Sequence, residues 1–215
     1  EAVARRWKEI TGNTLLEGYG LTECSPVVLF NPILTETFSG KTGLPLPETD
    51  VQIRDENGKE VPVGEVGEIC VSGPQVMKGY WNHEEETKKV FHEDGYLKTG
   101  DMAYMDERGY FKIVDRKKDM IIVSGFNVYP TEVENVIANN DKVFEVAAIG
   151  VPDETTGEAV KIFVVKHDDS LTKEELLEYC RENLTNYKVP KIIEFRTEEL
   201  PKTPVGKILR RELQG

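Results

Sequence analysis

Val3, Trp7 and Ile10 recur at the spacing of one helix face, so the chain is expected to open on a helix whose first turns lie upstream. From residue 14 to residue 123 the pattern changes to short apolar or alternating runs separated by turn residues. The runs at 51–54, 65–71, 96–98, 110–114 and 120–123 read as strands of a mostly antiparallel sheet. Asp55-Glu56-Asn57-Gly58 is a hairpin signal, Glu107-Arg108-Gly109 a second turn, and 82–91 reads as a short surface helix. Beyond Asp119 strand and helix patterns alternate. Pro130 suits the first turn of a helix that carries Val133, Val136 and Ile137 on one face. Residues 143–149 and 159–165 are apolar strands. Thr172 followed by Glu175 is a capping-box start for a helix using Leu176, Leu177, Cys180 and Leu184. A last strand is expected at 192–195 and a last helical turn or two at 208–213. Two helices on one small sheet make a compact α+β domain, and the boundary before it is placed in the charged stretch 115–119. That stretch has no Pro or Gly, so it reads as a short hinge more than a floppy linker.

With 215 residues, 39% hydrophobic and 31% charged, the composition is that of a soluble globular protein able to bury a core. No run approaches the roughly 18 apolar residues of a membrane span, and the first ten residues are charged and amphipathic, unlike a signal peptide. A cytosolic location is expected. Cys24, Cys70 and Cys180 show neither metal-ligand spacing nor a disulfide framework, and are read as buried or half-buried thiols. The net charge of -12 argues against nonspecific binding of nucleic acid, which needs a cationic footprint. A small anionic substrate must therefore meet local positive charge. Basic residues do cluster locally, as Arg116-Lys117-Lys118 and as Lys202, Lys207, Arg210 and Arg211, although each group taken alone reads as a solvated face.

Four segments are candidates for chemistry. In Glu17-Gly18-Tyr19-Gly20-Leu21-Thr22-Glu23, glycines on both sides of an aromatic would let backbone approach a flat ligand. Thr22 offers a hydroxyl to phosphate and Glu23 a carboxylate to Mg2+, while the plainer reading is a strand-to-turn transition. In Gly95-Tyr96-Leu97-Lys98-Thr99-Gly100-Asp101, an Asp at a strand end can accept two hydrogen bonds from a ribose diol or simply fix a turn. In the third segment, 114–130, Arg116 could bridge ribose and phosphate oxygens through its planar fork, and Gly125 would let a narrow chain pass close to backbone. The alternative is an exposed connection leading to a glycine turn and a proline-started helix. Finally, in 200–210 two prolines and a glycine hold a loop from which Lys207 projects a point charge.

Together and in this order, the four segments resemble the adenylate-forming (acyl-CoA synthetase) family over essentially the whole chain. The run GYLKTGDMAYMDERGYFKIVDRKKDMIIVSGFNVYP and the ending LPKTPVGKILRREL are similar to those of bacterial long-chain fatty acid-CoA ligases. The resemblance implies an α+β architecture: the C-terminal β-rich part of a large adenylation domain at 1–115, a hinge at 116–119, and a small mobile C-terminal domain at 120–215. It implies a two-step reaction in which a carboxylate and ATP give acyl-adenylate and pyrophosphate, and coenzyme A then displaces AMP. Carried onto this sequence, Tyr19 and Gly20 would border adenine, Thr22 would contact phosphate and Glu23 would hold Mg2+. Asp101 would bind the ribose hydroxyls and Arg116 the ribose and phosphate region. Lys118 would be the pivot of the small domain, Ser124 and Gly125 would face the pantetheine channel, and Lys207 would be the adenylation lysine.

The family's glycine-rich phosphate loop should lie upstream of Glu17, so the chain is expected to be a fragment, inactive alone, of an enzyme whose substrates are fatty acid, ATP and coenzyme A. Any peripheral contact with the inner face of the membrane would fall to the upstream part. The rival readings are an aryl or medium-chain acid-CoA ligase, an activator that delivers to a carrier protein, and a noncatalytic nucleotide-binding or interaction fragment.

Overall fold

A computed structural model describes residues 2–204 and 206–213. The chain divides into two compact units, 1–117 and 118–215. The break falls inside the charged stretch that the sequence marks.

The first unit opens on α1 (Ala2–Thr11), followed by β1 (Gly18–Gly20), β2 (Val27–Phe30) and β3 (Leu44–Pro45), which form a small antiparallel sheet in that order. The helix is where the periodicity puts it. Its apolar positions Val3, Trp7 and Ile10 are nevertheless exposed, while Ala4 is buried. A second antiparallel sheet runs in sequence order through β4 (Asp50–Arg54), β5 (Gly67–Ser72), β6 (Leu97–Met105) and β7 (Phe111–Arg116), with the short exposed helix α2 (Glu84–Val90) inserted before β6. The core of this unit joins both sheets: Val28 and Leu29 pack with Ile53, Ile69, Val71, Leu97 and Phe111.

Three differences from the sequence reading matter. Residues 14–123 do not make one sheet, because β1 to β3 form their own and Ile121–Val123 pairs in the second unit. The strand expected at 96–98 runs on to Met105, which places Asp101 inside β6 and not at a strand end. The strands β1, β2 and β3 fall outside the expected runs, being too short for alternation to show.

In the second unit β8 (Ile121–Val123) and β9 (Phe126–Val128) form a hairpin, and α3 (Pro130–Ile137) starts on its proline. Next come β10 (Val143–Asp153), β11 (Gly157–Lys166), α4 (Lys173–Asn183) and β12 (Ile192–Arg196). All pairings are antiparallel except β11 with β12. Thr172 caps α4 by accepting the Glu175 amide at 3.1 Å. One face of the sheet packs Val146, Ala148, Ile162 and Val164 against Val133, Ile137, Leu176 and Cys180 of the two helices. The other face packs Ala147, Ile149, Phe163 and Val165 against Leu200 and Leu213. Strand segments covered on both faces are apolar on both, which is why the central runs 146–149 of β10 and 162–165 of β11 show no alternation. The C-terminal segment is thus the second layer over this sheet, a role its sequence does not announce. Among the described residues no helix is long and apolar enough to cross a membrane.

Candidate active site

The segment Glu17 to Glu23 folds as β1 followed by a 3-10 turn, Thr22–Cys24. Its glycines answer to the protein itself: a Cβ on Gly20 would stand 1.9 Å from the Pro26 carbonyl oxygen, and one on Gly18 would stand 2.6 Å from the Phe30 ring. On the side where a Cβ would point, the space at both glycines is taken by neighbouring chain. Thr22 is exposed. The Glu23 backbone oxygen accepts the Met77 amide at 2.7 Å, and its Oε1 accepts the Tyr80 hydroxyl at 2.9 Å.

Tyr19 is drawn to Asp101, 82 positions along the chain, donating its hydroxyl to Oδ2 at 2.6 Å. Burial, with the neighbouring Asp101 carboxylate second, pushes the Tyr19 phenol well above its ordinary range. Asp101 is raised too, by burial, while the Tyr19 hydroxyl and the Arg116 charge act in the opposite direction. Arg116 stands directly across the ladder from Asp101, its Nε 3.8 Å from Oδ1 and its side chain mostly exposed. Sequence reading placed both residues in the site. It missed Glu68, whose buried carboxylate accepts the Gly100 amide and the Lys117 ammonium, and Tyr80, which holds Glu23. A lone acid in the otherwise uncharged strand Gly67–Ser72 was the available signal for Glu68.

A cleft of about 350 Å³ is lined among others by Glu23, Glu68, Tyr80, Lys98, Gly100 and Lys117. Among the described residues no three His, Cys, Asp or Glu side chains gather into a metal cage. A single carboxylate at the edge of a cleft does suit Mg2+, which keeps several waters and takes its other ligands from substrate phosphates. Glu23 fits that donor set, since only one of its oxygens receives the Tyr80 hydroxyl.

The remaining predicted residues belong to the second unit. Lys118 is exposed within the 3-10 turn Lys117–Asp119. Ser124 and Gly125 are the two central residues of the β8–β9 hairpin, with φ of 51° and 83°. Positive φ at both positions is the demand of a type I′ turn, and nothing lies within 4 Å of a Cβ built on Gly125. Lys207 is exposed on a small hairpin in which Lys202 pairs with Ile208 and the Lys207 amide donates to Thr203 Oγ1 at 3.1 Å. No hydrogen bond or ion pair among the described residues joins Lys207 to Ser124 or Gly125.

The basic cluster of the C-terminal segment is not uniform. Arg210 bonds Glu134 and reaches Asp119, and Lys202 is paired with Glu145 and Glu199, so both are structural. Lys207 and Arg211 are the exposed members. The three cysteines are free and buried, and burial pushes their thiols up, to about 11 for Cys24 and Cys180 and about 12 for Cys70. Thiols held so far from ionisation are packing groups.

Residues 1–81 match the AMP-binding enzyme family model and residues 132–207 match the model of the AMP-binding enzyme C-terminal domain. Asp101, Arg116, Lys118, Ser124 and Gly125 lie between the two matched spans. The whole chain aligns with a long-chain-fatty-acid--CoA ligase of Yersinia pestis at 62% identity over 214 residues, which is 38% of that relative's length. A feruloyl-CoA synthase of an Amycolatopsis species is 47% identical over 206 residues, 94% of this chain and 41% of the relative. The crystal structure of ATP-bound MatB from Rhodopseudomonas palustris superimposes with a TM-score of 0.92 at 39% identity, covering 99% of this chain and 42% of that one. The chain thus spans well under half the length of the relatives it matches, and it belongs to the AMP-binding enzyme family, with matches to both that family's main domain and its C-terminal domain.

Proposed function

We propose that the enzyme carrying this chain joins a long-chain fatty acid to ATP as an acyl-adenylate and then transfers the acyl group to coenzyme A. The observation that carries this reading is the cross-strand pair of Asp101 and Arg116, with the Tyr19 hydroxyl on the same carboxylate. An acid and a guanidinium side by side offer two acceptors to a ribose diol and a forked donor to the phosphate beyond it. Identity of 62% to a long-chain-fatty-acid--CoA ligase supports the choice of acid.

In the first step a carboxylate oxygen bonds to the α-phosphorus and the bond to the β-phosphate breaks, releasing pyrophosphate. Two anions must be brought together. Lys207 places a cation where negative charge builds, and Thr22 donates its hydroxyl to phosphate. Tyr19 and Gly20 border the base. Glu23 would hold Mg2+, which when bound supplies countercharge to the phosphates. In the second step the coenzyme A sulfur bonds to the carbonyl carbon and AMP departs. Lys207 then has to leave and another surface of the second unit has to arrive, for which Lys118 is the pivot and Ser124 and Gly125 are the wall of the pantetheine passage. The domains of this reading are 1–115 and 120–215, joined by a hinge at 116–119. A cytosolic enzyme with peripheral contact at the inner face of the membrane belongs to the same reading.

An aryl acid is the second reading, favoured by the 47% identity to a feruloyl-CoA synthase. Acid-dependent exchange of pyrophosphate into ATP, measured on the intact enzyme across a panel of acids, decides. Exchange is expected to peak with long-chain fatty acids. A peak with hydroxycinnamates would favour the second reading, and no exchange with any acid would overturn both.

A further inference from the structure

Glu68 stands in a strand whose other residues are Gly, Ile, Cys, Val and Ser, and it is only 7% exposed. A buried carboxylate is costly unless its oxygens are met by donors. Both are met: Oε1 accepts the Gly100 amide at 3.0 Å and Oε2 accepts the Lys117 ammonium at 2.9 Å.

These two donors bracket the Asp101–Arg116 pair. Gly100 immediately precedes Asp101, and Lys117 immediately follows Arg116. The β5–β6 ladder is irregular at this point, with Cys70 opposite Lys98 and Glu68 opposite Met102, so Thr99, Gly100 and Asp101 bulge out against the single residue Ile69. A bulge gives up regular ladder bonds and re-aims a side chain. Here the Gly100 amide goes to Glu68, and the Thr99 hydroxyl goes to the Ile69 carbonyl at 2.8 Å. The bulge is thereby held in one shape.

We propose that Glu68 is a positioning residue for nucleotide binding, because its one carboxylate ties the residue before Asp101 to the residue after Arg116 and so fixes the separation of the two groups that meet the ribose. The proposal rests on the reading of Asp101 and Arg116 as ribose ligands. Glu68 touches no substrate in this scheme. Its effect is on affinity for ATP, not on the fatty acid or the thiol.

The test is steady-state kinetics of the intact enzyme with ATP, fatty acid and coenzyme A varied in turn, at a temperature where each variant is fully folded by circular dichroism. Glu68→Ala is expected to raise KM for ATP about tenfold, as for loss of a charge-assisted hydrogen bond, with the other two KM values within about twofold of wild type. Glu68→Gln keeps one acceptor and should fall between wild type and Ala. Lys117→Met removes only one arm and should raise KM for ATP about threefold. A purely supporting role would lower Tm while leaving KM for ATP unchanged, or would raise all three KM values together, and either result overturns the proposal. If Glu68→Ala does not fold, the Gln and Met variants decide: an unchanged KM for ATP in both overturns it. A wild-type enzyme that fails to bind ATP by calorimetry overturns the functional reading first, and this inference with it. Normal ATP binding with unresponsive variants removes Glu68 alone.

Discussion

The Tyr19 hydroxyl donates to Asp101 Oδ2 at 2.6 Å, joining the small sheet of the first unit to the middle of its larger one. Burial raises the Asp101 carboxyl and this bond opposes the rise. On the proposed reading the carboxylate must be ionised to accept two ribose hydroxyls, so affinity for ATP is expected to fall as pH drops through its pKa. Asp101→Ala in the intact enzyme should weaken ATP binding by about 1.5 to 3 kcal/mol. Tyr19→Phe removes an influence that lowers the pKa and should move the acid loss of affinity to higher pH. Calorimetric titration with ATP at a series of pH values checks both, and wild-type affinity in Asp101→Ala would reduce Asp101 to a strand residue.

Lys207 and Lys202 share a loop but differ in surroundings, the first exposed and the second held by Glu145 and Glu199. Lys207→Ala should slow adenylation by about a hundredfold to a thousandfold, the usual effect of losing a transition-state donor. Thioester formation from preformed acyl-adenylate should stay near wild type. Lys202→Ala leaves the mostly buried Glu145 without its cation and should lower Tm while sparing the adenylation rate of folded enzyme. Single-turnover assays of each half-reaction together with thermal melts separate the two lysines, and matching adenylation defects would remove the special role of Lys207.

At the unit boundary, Lys118→Pro should fix φ and restrict rotation of the second unit. Adenylate formation is then expected to survive better than thioester formation. Equal loss of both half-reactions, or of neither, counts against a pivot here.

Gly20 has no room for a methyl group, since the Pro26 carbonyl oxygen would lie 1.9 Å from its Cβ. That oxygen belongs to the backbone, so relief requires the chain itself to move. Gly20→Ala should cost about 1 to 3 kcal/mol of stability, the range of overpacked sites. Urea denaturation measures it, and a neutral result would mean that the 20–26 loop yields freely.

Asp106 is pulled down to about 2 by the Lys41 ammonium at 2.5 Å, with the Tyr110 and Arg108 amides assisting. A folded-state pKa below the ordinary 3.8 contributes stability that is complete above that value and is lost as pH falls toward about 2. Asp106→Asn should lower Tm at neutral pH and narrow its distance from wild type as the pH is taken from about 4 to about 2. A constant difference in Tm across that range would show that the ionisation of Asp106 contributes nothing.

Periodicity, apolar runs and capping were enough to locate α1, α3, α4, β10 and β11, because a 3.6-residue repeat, an unbroken apolar run and a Thr172–Glu175 cap are local properties of the chain. The order of the motifs was enough to identify the family and to nominate Asp101 and Arg116. Partnership was not legible. Nothing local says that residues 18–45 close a separate sheet, that Ile121–Val123 pairs in the second unit, or that Leu200 and Leu213 cover the far face of β10 and β11. Nor does the sequence show that the Cβ side of Gly20 and of Gly18 is taken by Pro26 and Phe30. Glu68 was passed over because a single acid in a strand gains meaning only from its donors, Gly100 and Lys117, which lie 32 and 49 positions away. Local sequence sets which backbone conformation each stretch prefers. Which buried groups satisfy one another depends on contacts between distant residues, and those exist only once the chain has folded.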